Sequence, residues 1–170
     1  GEQHKVELLW RHLRRVGRGP HQVRRELLFE QRWPVAVQES VPGLRLAGHD
    51  DLDVVMTTHA RMAVEEFGLD DPIAADPDGF PQRYAHRIDQ GRVWVLIENG
   101  SLVFKADIVS ETPEAIYLEG IYVDPQKRGQ GYGLRCLSHL SRRLLSRAGS
   151  ICLFVNDQNH EAQNFYRSAG

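Results

Sequence analysis

The chain has 170 residues, 41% hydrophobic and 26% charged, with a formal net charge of −2, values ordinary for a soluble globular domain. No apolar run approaches the roughly 20 residues of a membrane helix, and no basic-then-apolar leader stands at the start. A membrane-spanning helix is therefore excluded, secretion has no support, the cytoplasm is the expected compartment, and the near-neutral charge argues against an obligate nucleic-acid binder.

Residues 6–16 place Val6, Leu9, Trp10, Leu13 and Val16 at helical spacing, and Gly17, Gly19 and Pro20 end that helix. Residues 23–32 are ambiguous, with Leu27, Leu28 and Phe29 suited to a short strand. Pro34 and Pro42-Gly43 then mark a linker near 31–48. The arginines of this leading part (Arg11, Arg14, Arg15, Arg18, Arg24 and Arg25) read as a solvated face in preference to a site for anions. A helix follows from 50 or 51 to 67, with Asp50 as its cap and Gly68 as the left-handed residue after it. Its stripe is Leu52, Val55, Met56, His59, Ala63 and Phe67, and His59 reads as a packed or rim histidine.

Asp70-Asp71-Pro72 and Asp76-Pro77-Asp78-Gly79 predict a loop, and 80–90 a second helix stopped by Gly91. The pattern then turns to strands at 93–97, 102–109 and 115–123, with Asn99-Gly100 as a hairpin turn and Thr112-Pro113 as another. A helix at 133–147 carries Leu134, Leu137, Leu140, Leu144 and Leu145 on one face. A strand at 151–155 and a helix at 160–168, capped by Asn159, complete the series. Strand–helix–strand over 115–155 predicts a parallel crossover, and the hairpin before it an antiparallel pair. The fold class is α/β, a mixed sheet with helices on both faces.

Between the third strand and its helix lie Lys127, Arg128, Gly129, Gln130, Gly131, Tyr132 and Gly133. Glycines let a backbone turn tightly and approach a ligand. The first amides of a helix lack internal partners and sit at its positive end. The combination suits a phosphate or pyrophosphate. There is no Gly-Lys-Ser/Thr, and the alternating glycines do not fit Gly-x-Gly-x-x-Gly, so neither a Walker loop nor a Rossmann dinucleotide site is expected. The two cysteines, Cys136 and Cys152, form no Cys-x-x-Cys pair and exclude a disulfide scaffold. The eight histidines include no pair at helical metal spacing, so no metal is expected.

A second constellation, Val155, Asn159, Ala162, Phe165, Tyr166 and Gly170, accompanies the turn. With Arg128-Gly-Gln-Gly131-Tyr-Gly133 it resembles the GCN5-related N-acetyltransferase (GNAT) superfamily, over about 46–170. The resemblance implies an acetyl-CoA-dependent N-acetyltransferase that acts by direct attack of a primary amine in a ternary complex. Coenzyme A would be held by Arg128, Gly129, Gln130, Gly131, Tyr132 and Gly133, by the backbone of Ile121, Tyr122 and Val123, and by Asn159. Tyr166 would be the general acid. Glu119 would be the candidate base, partly buried with a raised pKa, on one strand face with Ile121 and Val123. Arg135 is placed to reach a 3′-phosphate or to lie solvated on the surface, and Cys136 reads as a buried core thiol.

The acceptor would be an amine-bearing small molecule or peptide. Glu65, Glu66, Asp70, Asp71, Asp76 and Asp78 form an acidic cluster, read as solvated loop charge before an attractor for a cationic amine. The alternative is a non-catalytic acetyl-CoA sensor. No nucleic acid or membrane partner is expected, and there is room for a homodimer. The family normally follows its Asn–Tyr helix with closing strands. The resemblance thus implies a catalytic domain, 46–170, incomplete on its C-terminal side. Residues 1–45 would be the tail of a preceding module plus a linker, as in the two-part subgroup whose leading acetyltransferase-like half is degenerate.

Overall fold

The computed structural model describes residues 1–20, 23–35, 40–68 and 70–170, apart from the side chains of Glu66 and Phe67. The expected stripe position Phe67, the cluster member Glu66 and part of the expected linker lie outside those limits. In chain order the elements are α1 (Gln3–Arg14), β1 (Glu26–Gln31), β2 (Arg45–Leu46), α2 (Leu52–Phe67), α3 (Pro72–Ala75), α4 (Gly79–Asp89), β3 (Val93–Glu98), β4 (Ser101–Glu111), β5 (Ile116–Val123), α5 (Tyr132–Leu145), β6 (Ile151–Asn156) and α6 (His160–Ala169). Single 3-10 turns stand at His49–Asp51 and Pro125–Lys127. No described helix is long and apolar enough to cross a membrane.

The mixed α/β class holds. One sheet runs in the order β1-β6-β5-β4-β3-β2. β5 and β6 are parallel, and the other pairs are antiparallel. Two elements depart from the expected string. Residues read as loop form α3, because the Asp71 carboxylate accepts the Ile73 N–H at 2.9 Å and Pro72 pre-sets the first helical φ. The short strand β2 sits within the expected linker and pairs with Val95 and Trp94.

The ambiguous segment around Leu27 is a full strand. β1 pairs with β6 from Glu26–Asn156 to Gln31–Ile151. Residues from the leading part thus join the sheet built by 45–156.

Strand alternation sends apolar residues to both faces. Trp94, Leu96, Phe104, Ala106, Ile108, Ile116 and Leu118 pack with Leu137, Leu140 and Leu144 of α5. Val93, Val95, Leu102 and Tyr122 pack with Val55 of α2 and with Tyr84 and Ile88 of α4.

Alternation breaks within β5. Ile116 and Leu118 face α5, yet so do Ile121 and Val123. Asp107 lies opposite Glu119 while Lys105 lies opposite Tyr122, so Gly120 and Ile121 together face Ala106. This is a β-bulge, and Gly120 adopts φ +58 within it. The expected grouping of Glu119 with Ile121 and Val123 on one face is therefore wrong, because the bulge shifts the pleat by one residue.

The entry to α2 also differs from expectation. Asp51, not Asp50, organises it. Its carboxylate accepts the Gly48 N–H at 2.8 Å and a hydrogen bond from the Arg45 guanidinium at 3.0 Å, tying β2 to the helix. The Arg45 hydrogen bond holds the Asp51 pKa below the ordinary aspartate value. A depressed carboxylate stabilises the fold above its unfolded pKa, and that contribution is lost as pH falls through its folded value. Asp51→Asn is expected to cost about 1–3 kcal/mol at neutral pH. The gap to the parent protein should close as acidification protonates Asp51, measured by urea unfolding along a pH series.

Candidate active site

β5 and β6 pair only at Ile116–Ile151 and Tyr117–Cys152. Beyond that point the strands part, and a groove of about 940 Å³ opens over β5. Its walls come from α2 (His59, Arg61, Met62, Glu65), the turn and start of α5, Phe154 of β6, and the first turns of α6. Of the residues expected to bind coenzyme, Ile121, Tyr122, Val123, Arg128, Gly129, Gly131, Tyr132, Gly133 and Asn159 all line it, as do Glu119 and Tyr166. Gln130 does not: its Nε2 donates to the Gln126 carbonyl at 2.7 Å and braces the turn from outside.

The three glycines serve two purposes. Gly129 (φ +70) and Gly131 (φ +80) take the left-handed backbone that brings the chain into α5. Gly133 is already helical, and a Cβ there would lie 2.9 Å from Val123 and 3.0 Å from Phe165. Its bareness lets α5 press against β5 and α6. Asp124 accepts the Gln126 N–H at 3.0 Å and fixes the start of the turn. The Arg128 Nε donates to the Val123 carbonyl at 3.3 Å. Tyr132 carries Lys127 on its ring at 5.1 Å and Arg135 at 4.9 Å, which keeps both cations beside the helix start. A glycine turn, unpaired helix amides and adjoining cations fit a pyrophosphate. Among the described residues, no group of three or more His, Cys, Asp or Glu is placed to hold a metal.

Asn159 caps α6, its Oδ1 accepting the Ala162 N–H at 3.0 Å. The Tyr166 ring lies 5.1 Å from Phe165 and 5.9 Å from Phe29 of β1. Glu119 is exposed, which corrects the expectation of a partly buried carboxylate. The bulge begins just after it, and its Oε1 accepts the Tyr117 hydroxyl at 2.6 Å. Cys136 is a core thiol, 1% exposed, with a pKa pushed up to about 12 mainly by burial. The acidic cluster disperses. Asp71 caps α3, and Asp76 accepts the Gly79 N–H and pairs with Arg83 at 2.7 Å. Of its described members only Glu65 reaches the groove.

One group escaped the sequence reading. Lys105 and Asp107, 0% and 1% exposed, lie under the bulge. The Lys105 Nζ donates to Asp107 Oδ2 at 2.7 Å and to the Gly120 carbonyl at 3.2 Å. The Tyr84 hydroxyl donates to the same Asp107 oxygen at 2.7 Å. Burial pushes the Lys105 pKa down and the Tyr84 pKa up. The available signal was two charged residues alternating with apolar ones in an otherwise buried strand. His59 bridges this group and the groove. Its ring lies 5.1 Å from Tyr84, and its Nδ1 is 3.7 Å from Asp107 Oδ2.

The profile of the Acetyltransferase (GNAT) family matches residues 60–170. The fold is similar to that of an acetyltransferase of the GNAT family from Colwellia psychrerythraea, at 19% identity and TM-score 0.67 over 87% of this chain and 52% of that one. It is also similar to a ribosomal-protein-alanine N-acetyltransferase from Brucella melitensis, at 21% identity and TM-score 0.60 over 75% of this chain and 82% of that one. A predicted acetyltransferase with acetyl-CoA from Clostridium acetobutylicum gives 16% identity and TM-score 0.55 over 84% and 88% of the two chains. At these identities the likeness is one of fold. The chain spans about half the length of the Colwellia protein. Curated protein sequences give no match.

Two outcomes follow from this geometry. Gly133→Ala must push Val123 and Phe165 apart and is expected to cost about 1–3 kcal/mol in chemical denaturation. His59 has its pKa lowered from 6.5 to about 4, first by burial and then by the positive Lys105. The unfolded imidazole binds a proton that the folded one refuses, so stability is full above pH 6.5 and declines as pH falls towards 4. His59→Gln should flatten that slope in urea unfolding.

Proposed function

Because the chain belongs to the acetyltransferase (GNAT) family, we propose that it transfers the acetyl group of acetyl-CoA to a primary amine by direct attack in a ternary complex. The observation that carries this reading is the parting of β5 from β6, which puts the glycine turn, Tyr166 and Glu119 on one groove. Acetyl-CoA supplies an activated thioester. Gly129, Gly131 and the first amides of α5 suit its pyrophosphate, with Lys127 and Arg128 adding charge. The backbone of Ile121, Tyr122 and Val123 would pair with its pantetheine arm, and Asn159 would face that arm while capping α6. Gln130 would act from outside by bracing the turn, and Tyr132 by carrying its two cations.

An N–H of the bulged segment would receive charge developing on the thioester oxygen. Donors preset towards such an oxygen are the larger part of acyl-transfer catalysis. Glu119, exposed at the groove, would receive the amine and take up its proton. The amine nitrogen then forms the C–N bond as the C–S bond breaks, and Tyr166 would give its hydroxyl proton to the leaving thiolate. Holding both reactants in place contributes about 7–11 kcal/mol where the geometry is right. The acceptor would be an amine-bearing small molecule or peptide, and the setting the cytoplasm.

The test is thiol release from acetyl-CoA across an amine panel, with acetyl-CoA binding followed separately by calorimetry. Tyr166→Phe is expected to lower kcat by about 10²–10⁴-fold while coenzyme binding changes little. Turnover equal to the parent protein would remove Tyr166 as the acid. Coenzyme binding without turnover on any amine would favour the sensor reading.

A further inference from the structure

A β-bulge needs a reason to stay where it is, and in β5 that reason is a buried charge. Lys105 and Asp107 are neighbours on one face of β4, and both are shut away from water. An ion pair so placed is a poor stabiliser. Removing both ions from water costs about as much as their attraction returns, and apolar residues of like volume fold as well or better. Here the ammonium does something an apolar residue cannot. It donates to Asp107 and also to the Gly120 carbonyl, the residue at which the pleat of β5 is broken. Gly120 is fitted to that contact. At φ +58, a Cβ there would lie 2.9 Å from Lys105 Nζ, 3.0 Å from Asp107 Oδ2 and 3.4 Å from His59 Nδ1.

The consequence reaches the groove through one peptide plane. In a planar trans peptide the C=O and the following N–H point in opposite directions. A Gly120 carbonyl drawn to Lys105 therefore turns the Ile121 N–H away from Lys105. We propose that Lys105 and Asp107 are positioning residues for acyl transfer, holding the Gly120 carbonyl so that the Ile121 N–H is presented to the thioester oxygen. This rests on the acetyl-transfer reading above, and it assigns Lys105 and Asp107 a role that the coenzyme motifs do not contain. Lys105 supplies the donor. Asp107 keeps the ammonium aimed.

The test compares the parent protein with Lys105→Met/Asp107→Asn, which removes both charges together and leaves no buried ion unpaired. In the double variant acetyl-CoA Kd is expected to stay within about threefold while kcat for thiol release falls about 10²–10³-fold, the loss seen on removing one oxyanion donor. With acetyl-CoA bound, amide hydrogen exchange at Ile121 should rise as its N–H loses the thioester oxygen, and exchange at Tyr122, which pairs with Lys105 in the ladder, should rise with or without coenzyme, with exchange in α5 unchanged. Tyr84→Phe removes an equally short hydrogen bond to Asp107 without touching Gly120. It should lower unfolding stability with kcat within about threefold, whereas a merely structural network would give both variants the same profile. Unchanged kcat together with unchanged exchange at Ile121 in the double variant overturns the proposal. If the parent protein binds no acetyl-CoA, the acetyl-transfer reading fails instead, and the exchange at Tyr122 still decides whether Lys105 sets the bulge.

Discussion

After Tyr117 and Cys152, β5 and β6 cease to pair, and the site depends on that parting. Backbone N–H and C=O groups that leave a ladder must find other partners or face water. Parallel strands that separate inside a sheet therefore create a polar-floored groove, with no loop needed to build it. What keeps the groove open is packing from both sides. α5 is drawn tight against β5 by the bareness of Gly133, beside Val123 and Phe165. α2 stands over the other side, where the His59 ring lies 5.1 Å from that of Tyr84 and tilted to it, and the Arg61 guanidinium donates to the Tyr122 hydroxyl at 2.9 Å.

The bulge in β5 and the parting of β6 belong together. A strand still paired on both sides would have to carry its bulge into two ladders. With β6 gone, only β4 has to accommodate Gly120 and Ile121, and it does so with a side chain. Lys105 gives the Gly120 carbonyl a side-chain donor from β4. Charge-assisted hydrogen bonds are the stronger kind, and the donor of this one is buried. The floor of the groove is thus set from beneath, by buried residues outside its lining.

This also explains which parts of the molecule were legible in the sequence. The glycine turn and the Asn159–Tyr166 pattern are local. Their residues need specific backbone angles or caps, so spacing alone conveys them, and both fall on the groove. The apolar face of α5 was equally readable, because its burial follows the helical period, and strands β3 and β4, buried on both faces, showed as an apolar run and its hairpin return. Glu119 was misjudged for a physical reason: alternation predicts facing only while the register is unbroken, and the bulge at Gly120 is set by Lys105 across the sheet. Lys105 and Asp107 were passed over because a period count registers polar positions only as gaps in an apolar face. The helical turn of α3 was hidden by an Asp-Pro that reads as a loop but also starts helices.

The strand β1 carries the same lesson furthest, since its partner lies more than a hundred residues away in the sequence. Leu27–Phe29 is too short a signal to fix a strand, and nothing near it suggests β6 as the neighbour. Yet β1 does more than cover an edge. Phe29 lies 5.9 Å from the Tyr166 ring, and the Arg167 guanidinium sits over Phe29 at 5.8 Å. The Gln31 Nε2 donates to the Ala169 carbonyl at 3.1 Å, near the end of α6. α6 is only ten residues long, and a helix of that length is marginal alone in water. Its orientation, and with it the direction of the Tyr166 side chain, is held by a segment from the other end of the chain. The leading residues thus take part in the groove wall itself, through the strand they add beside β6.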